Sequence, residues 1–387
     1  MMALSRADNS VLGRWWWTVD RWTLAALLIL IGFGYVMLLA ASPAVAERIG
    51  MASRYGFIFR QVTYLLIAAA ILFGTSLLSV RGVRRVALLG CVVAILFTGL
   101  TLVMGVEIKG ARRWLNLPLL GSLQPSEFLK PCFAVTAAWL IAEGKTAALQ
   151  RAAGLHARFP GIALAIALFG LIALLLKSQP DIGMLLVVSA VFLAQFFVAG
   201  LNLFVVGIVA AMGAAGAVGA YFLFSHVRSR VDRFLDPSTG DNYQVMRAME
   251  AFGHGGLFGA GPGEGRVKNV LPDAHADFVF AVAGEEFGLV VCLVILSLFA
   301  FVVIRGLLRL LAENDLFVVL ASAGLLTQFG LQAFVNMASS LHLIPTKGMT
   351  LPFVSYGGSS VFAIALGMGM LLALTRRRGG RLAGNEA

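Results

Sequence analysis

Apolar runs of about twenty residues follow one another along most of this chain, separated by short polar connections and by one long polar interruption at 226–276. A helix rising 1.5 Å per residue needs about twenty residues to cross a hydrocarbon layer about 30 Å thick, so the pattern predicts membrane-crossing helices. Ten are expected, near 22–42, 59–79, 85–104, 125–143, 160–176, 182–199, 203–225, 278–304, 316–339 and 354–375. The runs are continuous; a transmembrane barrel would show segments of about ten residues alternating in polarity. The expected fold class is therefore all-α. It is a polytopic membrane domain of about ten transmembrane helices over 22–375, with tails at 1–21 and 376–387 and a large extracytoplasmic loop, 226–276, between spans seven and eight.

Composition agrees, since only 13% of the 387 residues are charged, against about a quarter in a soluble domain. An even number of spans puts both termini on one side. The short connections and tails there carry Arg14, Arg21, Arg81, Arg84, Arg85, Lys145, Arg151, Arg305, Arg309, Arg376 and Arg377 among others, which marks that side as cytoplasmic by the positive-inside rule. The formal charge of +11 does not indicate nucleic acid, because the cations are scattered over short connections, with neither a basic domain nor an aromatic RNA-binding motif. Cys91, Cys132 and Cys292 fall inside apolar runs and read as buried small hydrophobes, implying no disulfide or metal cluster. Ala44-Val-Ala46 before Glu47 looks like a signal-peptidase site, but the preceding run is longer than the usual 7–15 residues, which favours an uncleaved anchor.

The other cations fall on or near the opposite face, where the rule does not place them. Between spans three and four the chain reads Glu107-Ile-Lys109-Gly-Ala-Arg112-Arg113-Trp114, then Gln124-Pro125-Ser126-Glu127-Phe-Leu-Lys130. Guanidinium forks bind phosphate oxygens in pairs, so Arg112 and Arg113 beside the interfacial aromatic Trp114 suggest contact with a phosphate-bearing headgroup. Glu127 and Lys130 lie three apart and share a helix face, behind Pro125 in the first turn and Ser126 as a capping candidate. They are either a self-neutralising pair or part of a site. Asp181, in Gln179-Pro180-Asp181-Ile-Gly183, is either the initiator of a helix or a substrate or metal contact.

In the long loop, Arg228, Arg230, Arg233, Arg247, Arg266 and Lys268 have a bland explanation, because long loops translocate regardless of charge. Val245–Phe252 predicts a short helix along the interface. The glycines from Gly253 to Gly265 are not a nucleotide loop, since no Gly-Lys-Ser/Thr follows and no strand precedes them; a tight re-entrant turn is expected instead. The loop closes on Leu271-Pro-Asp273-Ala-His275-Ala-Asp277-Phe278. Asp277 stands where the chain re-enters lipid, and partial burial there raises a carboxyl toward the range of a general base; a helix-capping role also fits. His275 orients a substrate or is merely solvated, and Asp273 is a spectator. Glu285 and Glu286, deeper on the same helix, are expected to pair with a basic residue on another span, because two charges at that depth are costly. The last connection, Pro345-Thr346-Lys347-Gly348 through Pro352 to Ser355-Tyr-Gly-Gly-Ser-Ser360, is irregular backbone, tolerated at membrane depth only beside a cavity or buried in protein. Lys347 is expected to face the same cavity as Asp277.

Taken together these stretches resemble the SEDS (shape, elongation, division and sporulation) glycosyltransferases. The similarity rests on Lys109-Gly-Ala-Arg-Arg-Trp114, Gln124-Pro-Ser-Glu127-Phe-Leu-Lys130, Gln179-Pro-Asp181, Asp273-Ala-His-Ala-Asp-Phe278 with Gly284-Glu-Glu286, and Pro345-Thr-Lys-Gly348 through Ser360. Five motifs in order cover most of residues 20–376, and Pro-Thr-Lys-Gly favours the division branch over the elongation branch. The family usually has Glu at the position of Asp273 and Thr at that of Ala276. The resemblance implies polymerisation of lipid II into β-1,4 glycan strands at the outer face of the cytoplasmic membrane during septal cell-wall synthesis. It implies an inverting single displacement with Asp277 as general base. Arg112, Arg113, Lys130 and Lys347 would balance charge on the departing diphosphate, while Trp114, His275 and Ser355 complete the substrate contacts. Glu127 and Asp181 would hold Lys130 or a divalent ion, Mg or Mn. The implied partners are a class B penicillin-binding protein transpeptidase and other divisome proteins. The rival readings are a lipid II flippase and a noncatalytic scaffold.

Overall fold

The structure, a computed structural model, describes residues 10–48, 56–108, 111–117, 121–154, 159–223, 225–235, 243–345 and 347–377. Apolar helices occupy all ten expected positions. Seven are long and apolar enough to cross a membrane: α2 (Arg21–Arg48), α3 (Gly56–Ser76), α4 (Val80–Met104), α5 (Pro125–Ala152), α6 (Gly161–Ser178), α11 (Val279–Leu310) and α12 (Leu316–Ser340). The other three are α7 (Ile182–Val198), α8 (Leu203–Leu223) and α13 (Gly358–Leu374); α7 and α13 are shorter apolar helices, and α8 is apolar over Phe204–Gly213. Shorter polar or amphipathic helices complete the set: α1 (Val11–Thr18), α9 (Ser225–Leu235) and α10 (Tyr243–Gly255).

Burial sorts these helices into layers. About two thirds of α5 and α12 is buried against less than two fifths of α2, α3, α4, α6 and α11, and nearly every residue of α13 is enclosed. α5, α12 and α13 are thus the interior, and the others present Leu, Ile, Val and Phe outward, as lipid-facing helices do. The three cysteines are buried, as expected.

The connection after α4, for which the sequence predicts no element, forms a small antiparallel sheet of β1 (Val106–Ile108), β2 (Ala111–Leu117) and β3 (Gly121–Leu123) in the order β1-β2-β3. Its seven-residue central strand is too short and too charged to register against the apolar spans.

The glycine-rich segment does form a re-entrant turn, and the reason is a break in α11. Gly288 takes φ +77°, so the helix cannot continue its own hydrogen bonds there. The loop supplies them: Ala260 N–H donates to Glu285 O and Gly261 N–H to Glu286 O, while Leu289 and Val290 N–H donate to the carbonyls of Gly256 and Leu257. Gly259 lies so close to the Glu286 carbonyl that any side chain would overlap it. Backbone donors and acceptors freed at membrane depth are thereby satisfied within the protein.

Candidate active site

A cavity of about 800 Å³ opens at one end of the bundle, walled by β2, α5, the start of α7, the approach to α11, α12 and the last connection. The pleat of β2 decides which arginine reaches it. Successive side chains on a strand point to opposite faces, so Ala111 and Arg113 share the cavity side; Trp114 also reaches the lining, whereas Arg112 does not and pairs across the sheet with Glu107 at 3.4 Å. Of the two arginines expected to share one phosphate, only Arg113 borders the cavity.

Lys130 forms the floor. It is 1% exposed, and its Nζ lies 2.8 Å from Glu127 Oε2 and donates to Gln332 Oε1 at 2.8 Å. Gln332 in turn donates from Nε2 toward Thr350 O, Thr350 Oγ1 and Ser360 Oγ, at 3.1 to 3.3 Å. One polar network therefore joins the three interior helices through Lys130 of α5, Gln332 of α12 and Ser360 of α13. Pro125 occupies the first turn of α5 as expected, but the helix is capped at Gln124, not Ser126, whose Oγ accepts from Gln124 Nε2 at 3.2 Å.

Asp181 both starts α7, accepting from Met184 N–H at 3.2 Å, and gathers two cations. Lys347 Nζ donates to Oδ1 at 3.1 Å, and Arg113 Nη1 stands 3.7 Å from Oδ2 while its Nε and Nη2 bind the carbonyls of Gln179 and Pro180. Burial pushes the Asp181 carboxyl up, but Lys347, Arg113 and the Met184 N–H outweigh it and hold the carboxyl below the ordinary range. Gly183 makes the pairing possible, since a Cβ there would overlap the Lys347 stem.

Asp277 is half-buried on the cavity wall with Asp273, and Lys347 faces the same space. Asp273 holds φ +51° and its carbonyl accepts from the N–H groups of Ala276, Asp277 and Phe278, closing a tight turn. Phe278, not Asp277, is the N-cap of α11. Gly348 lies beneath the carboxyl: a Cβ there would stand 2.7 Å from Asp277 Oδ2. The missing side chain of the Pro345–Gly348 motif thus leaves room for Asp277.

Other expectations are revised. His275 is not on the cavity wall; its ring packs 4.8 Å from Phe57 and 5.2 Å from Tyr356. Ser355 is fully buried, its Oγ donating to Ala276 O at 2.5 Å and accepting from Leu351 N–H at 2.8 Å, so it cannot reach a substrate. Glu286 pairs with Lys268 of the loop and not with another span, and Glu285 accepts from the N–H groups of Arg266, Val267 and Lys268 at 2.6 to 2.9 Å. Loop cations Arg228 and Arg247 pair with Asp232 and Glu250 of their own helices. The side chains of Arg230 and Arg233, and residue Thr346, lie outside the described residues.

Glu127 and Asp181 do not suit a divalent ion. Each is already bonded to ammonium or guanidinium groups, and among the described residues no group of three or more His, Cys, Asp or Glu could hold a metal. Unforeseen on the cavity wall are Tyr64, Gln332, Thr350 and Ser360. A signal existed for Gln332: Gln328, Gln332 and Asn336 recur every four residues in an otherwise apolar run, a polar stripe on one helix face.

A bundle of apolar, membrane-length helices with a cavity lined by both acidic and basic side chains at one end defines a polytopic membrane protein with a polar site. The model of the FtsW/RodA/SpoVE family, described as cell cycle protein, matches residues 21–379, and the chain belongs to that family. A probable peptidoglycan glycosyltransferase FtsW of Caulobacter vibrioides is 43% identical over 378 residues, 98% of this chain and 94% of the relative. Its counterpart in Nitrosomonas europaea is 34% identical over 92% of each chain. Among solved structures, a chain from a peptidoglycan synthase complex that coordinates polymerization and crosslinking superposes with a TM-score of 0.74 at 28% identity, covering 92% of this chain and 97% of that one. The rod shape determining protein RodA of Thermus thermophilus gives 0.65 at 28% identity, covering 93% and 97%.

Proposed function

We propose that this chain is a peptidoglycan glycosyltransferase that polymerises lipid II into β-1,4 glycan strands at the outer face of the inner membrane, during septal wall synthesis. One observation carries the reading: a single cavity gathers Asp277 with Arg113, Lys130 and Lys347. The sugar donor carries an α-linked diphosphate and the product bond is β, so one displacement with inversion suffices. The acceptor 4-hydroxyl attacks the anomeric carbon while Asp277 takes its proton, and the bond from that carbon to the diphosphate oxygen breaks with its electron pair. Charge develops on the diphosphate, where cations preorganised by Asp181 and Glu127 stabilise it without rearranging. Trp114 supplies an aromatic wall.

The family relationship and the cation placement support cytoplasmic termini and an outward cavity. A class B penicillin-binding protein is the partner this reading requires for crosslinking, with other divisome proteins around it; the likeness to a chain of a synthase complex supports this.

The test is labelled lipid II with the purified protein and its transpeptidase partner. Glycan chains are expected from the wild type and none from Asp277→Asn at unchanged thermal stability. Chains from Asp277→Asn would remove the base assignment. Translocation of lipid II without chains would establish a transporter, and neither outcome a scaffold.

A further inference from the structure

The turn that carries Asp277 is held by its carbonyls. His275 O accepts from Tyr356 N–H at 2.9 Å, Ala276 O from Ser355 Oγ at 2.5 Å, and Asp277 O from Asn336 Nδ2 at 2.9 Å. The first two donors belong to the last connection and the third to α12. Asn336 also donates to Met349 O at 2.6 Å, next to Gly348 and two residues from Lys347. A side-chain amide has two N–H donors on one nitrogen, and only that end of the group can face two carbonyls. Asn336 is 1% exposed and does not line the cavity, so neither bond competes with water.

We infer that Asn336 is a positioning residue: by tying the Asp277 carbonyl and the Met349 carbonyl to one amide, it sets the separation between the Asp277 carboxylate and the Lys347 ammonium. The two reactive groups stand on irregular backbone, a turn and a loop, which a helical ladder cannot hold in place. Asn336 stands on α12, a rigid interior helix, and refers both segments to it. Gly348 fixes the closest approach from the other side, since it leaves room for Asp277 Oδ2 and no more. Misplacing a proton acceptor by about 1 Å costs about a hundredfold in rate while leaving binding groups intact. The inference rests on Asp277 acting as the base.

Four proteins test it: wild type, Asn336→Ala, Asn336→Gln and Gln195→Ala. Gln195 is the matched control, a buried amide that bridges the carbonyls of Ala134 and Leu320 within the bundle, away from the cavity. With purified protein, partner and labelled lipid II, Asn336→Ala should lower kcat about ten- to a hundredfold with KM within about twofold. The acidic limb of its kcat against pH should move. Gln195→Ala should lose comparable thermal stability and keep kcat within about twofold. Asn336→Gln retains both donors but displaces them by one methylene, so it should fold and lose kcat at unchanged KM. Hydrogen exchange should rise in peptides 273–278 and 347–351 of the Asn336 variants and not of Gln195→Ala.

Exchange that rises while kcat is kept would overturn the inference and spare the base assignment. So would a kcat loss that only matches Gln195→Ala. Should Asn336→Ala fail to fold, full kcat in Asn336→Gln would overturn it equally. A wild type that makes no glycan sinks the proposed function, and this inference with it.

Discussion

Two sets of acids in this molecule differ in what their carboxylates face. Glu285 and Glu286, on the first turns of α11, are fully enclosed by the glycine-rich loop: three backbone N–H groups hold one carboxylate and Lys268 holds the other. Asp277, Glu127 and Asp181 are also bonded or half-buried, yet all three look into open space. Burial of charge therefore does not by itself mark a reactive group here. A carboxylate held by its own loop, as Glu285 is by the N–H groups of Arg266, Val267 and Lys268, pins that loop against α11. One that borders a cavity beside cations has a direction in which to act.

The largest effect expected on the cavity side is Asp277→Asn, which should reduce polymerisation by about 10²–10⁴-fold, the range for loss of a general base, without changing the melting temperature. On the other side, Glu285→Ala should leave three buried N–H groups unpaired and cost about 3–5 kcal/mol of stability, read as an unfolded or poorly expressed protein. Should the two variants exchange phenotypes, the contrast would be wrong.

Gly348→Ala tests the closeness of the motif loop to the base. A methyl group at 2.7 Å from Asp277 Oδ2 forces one of them to move, so activity should fall about ten- to a hundredfold with the fold retained.

Asp181 gives a dependence on pH. Its carboxyl is held below the ordinary value, so its ion pairs contribute stability that is present above about pH 4 and is lost as the pH falls through the lower folded value. Thermal melting of Asp181→Asn should therefore be less sensitive to acid than that of the wild type between about pH 5 and pH 2. Parallel curves would detach Asp181 from Lys347 and Arg113.

The smallest effect separates the two arginines of β2. Arg113→Ala should raise KM for lipid II about tenfold or more, whereas Arg112→Ala removes only an exposed pair worth about 0–1 kcal/mol and should leave turnover nearly unchanged. Equal losses would restore the shared phosphate contact that the strand pleat denies.

Much of this was legible in the chain. Asp277, Lys347, Lys130 and Arg113 stand out because charge in or beside apolar runs is costly and rarely accidental. A helix over Val245–Phe252, which the structure extends to Tyr243–Gly255, and the turn at the glycines were readable from local propensity. Arg112 was misassigned because adjacent residues look equivalent until a strand is known to run through them. Ser355 and His275 stand beside motif glycines and an acid, but whether a short side chain faces a cavity or a neighbouring carbonyl depends on segments some eighty residues apart. Lys268 reads in sequence as one more cation of a long translocated loop, and nothing local says that it pairs with Glu286 of α11.

The sequence by itself determined the apolar helices, the membrane setting and the inventory of charges, because hydrophobic length and the cost of burying charge act on each segment alone. Tertiary structure alone decided which carboxylates face the cavity, which arginine reaches it, and how Asn336 joins the Asp277 turn to the segment after Lys347. Those outcomes depend on directions and distances between α5, α11, α12 and the last connection, and no local preference along the chain encodes them.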